Sequence, residues 1–344
     1  MSVKAVLYAL VSAALFGLST PLAKLLIGAV DPMLLAAIFY LGAGIGLAAY
    51  RALAHNRAGR LIRNNVKWLI GAVLSGGVVG PILLMVGLAR SAAGTASLLL
   101  TLEGVATALI AWFAFRENFD RRIAAGLGCI VLGALVLAWQ GDASVDSLVG
   151  PLCIVGACLA WGIDNNLTRN ISESDPVQIA MLKGLCGGAV TLVLALAGGA
   201  SMPPADSIAL AALVGFFGYG VSLALFIVAL RDLGTARTGA YFSTAPFLGA
   251  AAAMLLLGEP LTIRLVLAGV LMAVGVYLHL TERHAHEHAH APTEHTHSHM
   301  HDMHHRHRHA SGDPTSEPHT HRHVHVRLRH SHAHVPDIHH RHKH

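Results

Sequence analysis

The sequence predicts an all-α integral membrane protein, with ten transmembrane helices in two inverted five-helix repeats and a disordered tail. Three observations indicate this fold class. Of the 344 residues, 54% are hydrophobic and only 12% are Asp, Glu, Lys or Arg, about half the charge of a soluble protein. Apolar runs long enough to span a membrane recur through residues 1–283, and the last 61 residues hold 23 of the 25 histidines. The chain is therefore an apolar body followed by a polar tail.

Composition also disfavours several function classes. The net charge of +5 comes from basic residues between apolar runs and forms no basic patch, so we expect no nucleic-acid partner. The four cysteines, Cys129, Cys153, Cys158 and Cys186, fall within apolar runs and are interpreted as packing residues. The body has no nucleophile–base set, phosphate loop or His-Glu-x-x-His spacing. We therefore expect no enzyme.

Ten apolar runs are long enough to cross a bilayer, whose core of about 30 Å needs about 20 helical residues. They are rich in Leu, Ala and Gly without two-residue alternation, so we expect helices. The first run begins after Lys4 and continues to Lys24, and we interpret it as an uncleaved anchor helix. In chain order the predicted spans cover residues 5–27, 33–50, 68–89, 91–115, 123–140, 148–168, 177–198, 207–230, 238–257 and 262–280.

Basic residues in the loops predict the orientation. With the N-terminus in the cytoplasm, thirteen Lys and Arg residues lie on the cytoplasmic side and three, Lys24, Arg90 and Arg264, lie outside. Ten spans then return the tail to the cytoplasm. We expect a multi-pass protein of the inner or plasma membrane, in contact with the lipid bilayer, with both termini cytoplasmic and as a monomer or homodimer.

Short motifs that interrupt the apolar runs in the first half of the body recur in the second half, about 142–145 residues later. The matches are Phe16-Gly17 with Trp161-Gly162, Asp31-Pro32 with Asp175-Pro176, Arg90 with Arg231, Arg116-Glu117 with Gly258-Glu259, and Gly133 with Gly275. Because five spans is an odd number, the second half enters the membrane from the opposite side, which is typical of secondary transporters. The sequence predicts one repeat at 1–140, the other at 147–281 and the tail at 284–344.

The fourth and ninth spans carry a family resemblance. They read Ala96-Ser-Leu-Leu-Leu-Thr-Leu-Glu-Gly through Glu117, and Gly239-Ala-Tyr-Phe-Ser-Thr-Ala-Pro through Gly258-Glu259-Pro260, each followed by a Gly-spaced apolar helix. With the similar starts of the two halves, they resemble the paired EamA domains of the drug/metabolite transporter superfamily over about residues 3–281. The resemblance implies ten helices and solute transport, commonly export, without fixing the substrate.

Glu103 is the first candidate for a transport residue. It lies about halfway along the fourth span, where a charge costs about 2.5–3.5 kcal/mol by insertion scales. The second repeat has the expected Pro246, whereas the first has Gly104 at that place, with Ala245 as the counterpart of Glu103. We expect Glu103 to line the pathway and to carry a coupling proton or a cation. The alternative is a structural carboxyl group hydrogen-bonded between helices.

Asp164 and Lys183 are predicted to form an ion pair. Counted from Arg169 and Asp175, their depths from the cytoplasmic side are roughly 8 and 12 Å. Pairing would offset part of the cost of burying each charge. The alternatives are an interfacial Asp164 at a helix end and a Lys183 that contacts the substrate directly.

Other polar residues within the spans complete the predicted substrate pathway. Two pairs occupy equivalent places in the repeats, and two more residues lie beside Pro246 in the ninth span. These secondary candidates are Ser19, Thr20, Asn165, Asn166, Tyr241 and Ser243. Trp161 is expected to be a core or interface residue.

The tail repeats His at every second residue in several runs. Few apolar residues remain for a core, so we expect disorder, and imidazole groups favour ions such as Ni, Co or Zn. The alternative is a solvated polycation whose charge rises at acid pH. No cofactor is required for transport. The predicted metal ligands are His284, His286, His288, His290, His295, His297, His299, His301, His319, His321, His323, His325, His330, His332 and His334.

Three functions remain open from the sequence. The first is export of a divalent transition-metal ion, Ni or Co and then Zn, which would connect the tail to Glu103 and Asp164. The second is export of an amino acid, metabolite or drug, with the tail as a separate metal buffer. The third, a membrane-anchored metal store or sensor, is disfavoured by two well-formed repeats.

Overall fold

The structure of the chain, a computed structural model, consists of a helical body and a tail of short strands. Its helices follow the apolar runs of the sequence. It describes residues 3–53, 66–115, 121–139, 145–171, 174–233, 235–280, 284–290, 293–299, 319–325 and 328–334.

The first half of the body contains five helical passes, of which two are interrupted. The third pass changes to a π-helix at its centre, and the fourth is broken at Leu100-Thr101. The elements are α1 (Val3–Leu26), α2 (Pro32–Leu53), α3 (Val66–Ala72), π1 (Val73–Val79), α4 (Gly80–Ala89), α5 (Ala93–Leu99), α6 (Leu102–Phe115) and α7 (Arg121–Ala138).

The second half repeats this order, including both interruptions. Its third pass also contains a π-helix, and its fourth is broken at Ser243-Thr244. The elements are α8 (Val145–Arg169), α9 (Pro176–Ala197), α10 (Ala205–Gly215), π2 (Phe216–Val221), α11 (Ser222–Leu233), α12 (Thr235–Phe242), α13 (Ala245–Leu257) and α14 (Ile263–Leu280).

The helices have the lengths that membrane crossing requires. Within the described residues, eight helical stretches are long and apolar enough to cross a bilayer, and the apolar helices Ala245–Leu257 and Ile263–Leu278 are shorter. All ten predicted spans are helical, so the prediction of an all-α membrane protein is confirmed.

Contacts between the two halves build the interior of the body. Helix α2 packs along α9 and α7 along α14, while α1 packs on α13 and α8 on α6. At the crossing of α2 and α9, a Cβ atom added to Gly184 would lie 2.6 Å from the backbone nitrogen of Gly44. Glycine therefore lets these two backbones approach closely, as is common between membrane helices.

The tail residues that the structure describes form four strands. They are β1 (His284–His290), β2 (Thr293–His299), β3 (His319–His325) and β4 (Leu328–His334). Strand β1 pairs with β4 and β2 with β3, both antiparallel. With His at every second residue, these segments have the two-residue period of a strand. The disorder predicted for the tail stays a prediction.

Candidate functional site

The break between α5 and α6 places Glu103 at the middle of the fourth pass. Helix α6 begins at Leu102, so Glu103 lies in its first turn. A carboxylate is favoured there because the N–H groups at a helix N-terminus carry partial positive charge. In the second half, α13 begins at Ala245, so the position of Glu103 corresponds to that of Pro246. The sequence-based pairing of Glu103 with Ala245 was wrong by one residue.

One residue of a neighbouring helix, Asn165, holds the Glu103 carboxylate. Asn165 Nδ2 on α8 donates to Glu103 Oε1 at 2.9 Å and lies 3.2 Å from Thr107 Oγ1. The Thr107 hydroxyl in turn donates to the Glu103 carbonyl oxygen at 2.8 Å. Asn165 therefore orients one carboxylate oxygen. Asn166 instead donates to the carbonyl oxygens of Thr107 and Gly162, which ties α6 to α8.

Asp164 and Lys183 form a buried ion pair between α8 and α9, which confirms the predicted pairing. Lys183 Nζ lies 2.7 Å from Asp164 Oδ1 and 2.6 Å from Oδ2. The Thr168 hydroxyl donates to Asp164 Oδ1 at 2.9 Å. Only 5% of Asp164 and 3% of Lys183 is exposed. The two charges therefore neutralise each other within the body.

The π-helix π1 supports this pair and two aromatic side chains. A Cβ atom added to Gly76 would lie 2.0 Å from Asp164 Oδ2, so only glycine leaves room for the carboxylate. The Gly76 carbonyl oxygen accepts hydrogen bonds from Tyr40 Oη at 2.6 Å and Trp161 Nε1 at 3.1 Å. A π-helix displaces carbonyl groups from the α-helical pattern and is frequent at functional sites. Here it positions both side chains.

A cavity of about 70 Å³ lies between these elements and draws its walls from both halves. Its polar wall is Glu103, Asp164, Asn165, Lys183 and Ser222, and its aromatic wall is Phe16, Tyr40, Trp161, Tyr219, Phe226 and Phe242. Phe16 lies at the centre of the aromatic wall, with ring centroids 5.8, 5.7 and 5.4 Å from those of Trp161, Tyr219 and Phe242. We call this space the central cavity.

Of the nine residues predicted for the pathway, four meet at the central cavity. They are Glu103, Asp164, Asn165 and Lys183. The other five, Asn166 among them, lie outside its walls.

Ser19 is buried and donates to the Phe16 carbonyl oxygen at 2.6 Å. The buried Thr20 hydroxyl has no hydrogen-bond partner among the described residues. Ser243, directly after α12, donates to the Gly239 carbonyl oxygen of that helix at 2.8 Å. Tyr241 packs on the small cluster of Ala5, Ala9, Ala229 and Leu233. None of these four side chains lines the central cavity.

The aromatic wall was missed from the sequence. Trp161 is buried in the hydrophobic core, as expected, and it also lines the central cavity. Placing an aromatic side chain in a membrane span carries no free-energy penalty. Its presence in the sequence therefore does not indicate a functional site as a buried charge does. The glycines within the π-helices, in Gly76-Gly77 and Gly218-Tyr219-Gly220, were the sequence feature that could have indicated this wall.

Metal binding by the histidines of the tail stays a prediction. His301 lies outside the described residues, and the described part of the tail gives strand positions for the other fourteen. In the helical body, no group of three His, Cys, Asp or Glu side chains comes together among the described residues.

Comparison with known proteins relates both halves of the helical body to one family of transporters. The profile of the EamA-like transporter family matches residues 3–139 and 148–281. An "Uncharacterized transporter" of Methanothermobacter thermautotrophicus is 30% identical, over 76% of this chain and 82% of that protein. A "Probable amino-acid metabolite efflux pump" of Salmonella typhimurium is 26% identical, over 54% of this chain and 67% of that protein. A solved crystal structure with 19% identity has a TM-score of 0.60 and covers 80% of this chain and 95% of its own, which shows the fold.

Proposed function

The chain belongs to the EamA-like transporter family and is a multi-pass membrane protein, and from this premise we propose that it exports a small organic solute with a protonated amino group. One observation carries the proposal. The Glu103 carboxylate and a wall of aromatic rings meet in a central cavity that both halves of the body form. A carboxylate attracts an ammonium group, and aromatic faces attract cations within about 6 Å.

The position of the cavity supports transport through it. Glu103 lies in the first turn of a half helix at the break of the fourth pass, and broken helices at the interface of two repeats bind substrate in many transporters. About 70 Å³ holds roughly two water molecules. The helices around the cavity therefore have to separate before a solute enters. The name of the Salmonella typhimurium relative supports efflux and an amino-acid-like solute.

The charge arrangement favours an amino compound over a transition metal in the central cavity. Metal export would need Glu103 and Asp164 as joint ligands, but Lys183 occupies both oxygens of Asp164. Beside Glu103 lies the Asn165 amide, whereas Ni, Co and Zn bind best to imidazole or thiolate groups. Since the ion pair is neutral, Glu103 gives the cavity its affinity for a cationic group.

A second proposal concerns the tail, which we infer to be a metal buffer separate from the transport path. The backbone register places His opposite His three times between β1 and β4, and three times between β2 and β3. Residues directly opposite in an antiparallel pair have Cβ atoms about 4.5–5.5 Å apart. This spacing supports ligation of Ni, Co or Zn. Metal titration of the full chain and of a chain lacking 284–344 tests it, and equal metal stoichiometry would overturn it.

Transport by the purified protein in liposomes tests the main proposal. Uptake of radiolabelled amino acids, of isoamylamine and of Ni²⁺ is measured for the wild type, Glu103→Gln and Asp206→Asn. Asp206 is an exposed acid at the start of α10 and serves as the matched control for loss of a carboxylate. We expect transport of amino compounds, at least a tenfold loss in Glu103→Gln, and wild-type rates in Asp206→Asn. Transport of Ni²⁺ without any amino compound, or wild-type rates in Glu103→Gln, would overturn the proposal.

A further inference from the structure

The second helices of the two halves are built alike. Helices α2 and α9 each have 22 residues and begin with Pro, at Pro32 and Pro176, directly after an Asp. Counted from these prolines, Arg51 near the end of α2 corresponds to Ala195 near the end of α9. This difference between equivalent positions changes what lies beside the two aspartates, Asp31 and Asp175.

At one end of the body, Arg51 neutralises the charge of Asp175. Its guanidinium group forms a salt bridge with the Asp175 carboxylate. Asp175 also caps α9, because its Oδ1 accepts from the Val177 backbone nitrogen at 3.0 Å. The end of α2 and the start of α9 are therefore held together by a charged pair.

At the opposite end, the equivalent space is empty. A cavity of about 320 Å³ lies between the start of α2 and the ends of α4 and α9. On the α9 side its wall consists of the small residues Ala195, Gly198 and Ala200. Among the described residues that line it, none on the α9 side has a long side chain such as that of Arg51. We call this space the outer cavity, since the loop charges predict that this end faces outward.

The outer cavity presents two opposite charges that are not paired with each other. Asp31 Oδ1 accepts from the backbone nitrogens of Met33 and Leu34, at 2.9 and 3.1 Å. Arg90 lies on the same wall, at the end of α4. Both side chains are exposed, and within the part of the chain that the structure describes neither has a salt bridge within 4.0 Å.

We propose that the outer cavity is a binding site for a zwitterionic amino acid, with its ammonium group at Asp31 and its carboxylate at Arg90. A ligand with a cation alone is opposed by Arg90, and one with an anion alone by Asp31, whereas a zwitterion satisfies both. Pro32, Val86 and Ala195 supply apolar surface for a side chain. The volume lies within the range of small-molecule sites. The site shares no residue with the central cavity and does not depend on Glu103.

Calorimetry on the purified full chain in detergent tests this site with L-leucine as the probe. All measurements use a Glu103→Gln background, so that the central cavity contributes little. We expect one leucine per chain, and at least tenfold weaker binding of isoamylamine and of 4-methylpentanoate, which each lack one of the two charges.

Three substitutions locate the binding. Ala195→Arg places a guanidinium group beside Asp31, as Arg51 lies beside Asp175, and should lower leucine affinity at least tenfold. Arg90→Gln and Asp31→Asn should do the same, and Asn caps a helix about as well as Asp, so α2 keeps its cap. Asp206→Asn should bind leucine normally.

The outcomes separate this site from the proposed function. Absence of leucine binding in the Glu103→Gln background, or unchanged affinity in Ala195→Arg and Arg90→Gln, would overturn the outer site. Equal binding of isoamylamine and leucine would overturn the zwitterionic class. Neither result changes the transport expected of the wild type, and loss of transport without loss of leucine binding would leave the outer site standing.

Discussion

The ammonium nitrogen of Lys183 lies within 2.7 Å of both carboxylate oxygens of Asp164, and both residues are buried between α8 and α9. The pair therefore adds no net charge to the central cavity. Glu103, on the same polar wall, receives one hydrogen bond from the neutral amide of Asn165. Two acids two passes apart in the sequence thus have different partners: Asp164 is paired with a buried cation, and Glu103 is bound by a neutral amide.

Loss of the lysine should destabilise the body strongly. Lys183→Met leaves Asp164 buried without its cation, and we expect the free energy of unfolding to fall by about 3–5 kcal/mol. The double variant Asp164→Asn/Lys183→Met removes both charges and should lose much less. Denaturant unfolding in detergent micelles measures both. Equal losses in the single and double variants would show that the pair contributes no electrostatic stabilisation.

The fit of Asp164 against π1 gives a second prediction. Gly76→Ala places a methyl group where Asp164 Oδ2 lies, so the ion pair or π1 has to shift, at a cost of about 1–3 kcal/mol. Gly128→Ala is the matched control, because a Cβ atom there has no neighbour within 4 Å and Ala favours helix. We expect a lower melting temperature for the first variant and an unchanged or higher one for the second. The reverse order would contradict this packing.

Glu259 should stabilise the start of α5 from the other half of the body. Its Oε1 and Oε2 accept from the backbone nitrogens of Ala93 and Gly94, at 2.6 and 2.7 Å. Glu259→Ala removes this cap, and we expect a loss of about 0.5–2 kcal/mol. Amide hydrogen exchange at Ala93 and Gly94 should accelerate, while the exposed-site variant Asp206→Ala leaves it unchanged. Wild-type protection in Glu259→Ala would show that these amides have another acceptor.

The loop charges give a prediction of orientation. Thirteen basic residues against three place both termini in the cytoplasm. Reporter fusions at residue 60 and after residue 344 should both report a cytoplasmic location. A signal from the outer side at either position would reverse the assignment of the outer cavity as well.

Buried charge made part of the site predictable from the sequence. Burying an unpaired charge in a membrane span costs so much free energy that Asp164 and Lys183 were expected to pair. Their similar depths in the membrane were enough to predict this pair. The ten helices followed from the length of the apolar runs in the same way. The hydroxyl groups of Ser19 and Ser243 donate hydrogen bonds to nearby carbonyl oxygens of α1 and α12. Their presence in a span therefore did not depend on a binding site.

The remaining features depend on backbone geometry that composition does not encode. The breaks at Leu100-Thr101 and Ser243-Thr244 determine which residue of the first half is equivalent to which residue of the second. Short sequence motifs could not fix this alignment to within one residue. In the aromatic wall, Tyr40 and Trp161 both donate to the Gly76 carbonyl oxygen of π1, and Tyr219 lies in π2.

The hydrogen bond from Asn165 to Glu103 also has a consequence for biosynthesis. The two residues are 62 positions apart, so at 5–20 residues per second a ribosome makes Asn165 roughly 3–12 s after Glu103. During that interval the nascent first half contains a mid-span carboxylate whose amide donor does not yet exist. A substitution that delays insertion of α8 would lengthen this exposure, and the newly made chain would meet membrane quality control before it ever moved a solute.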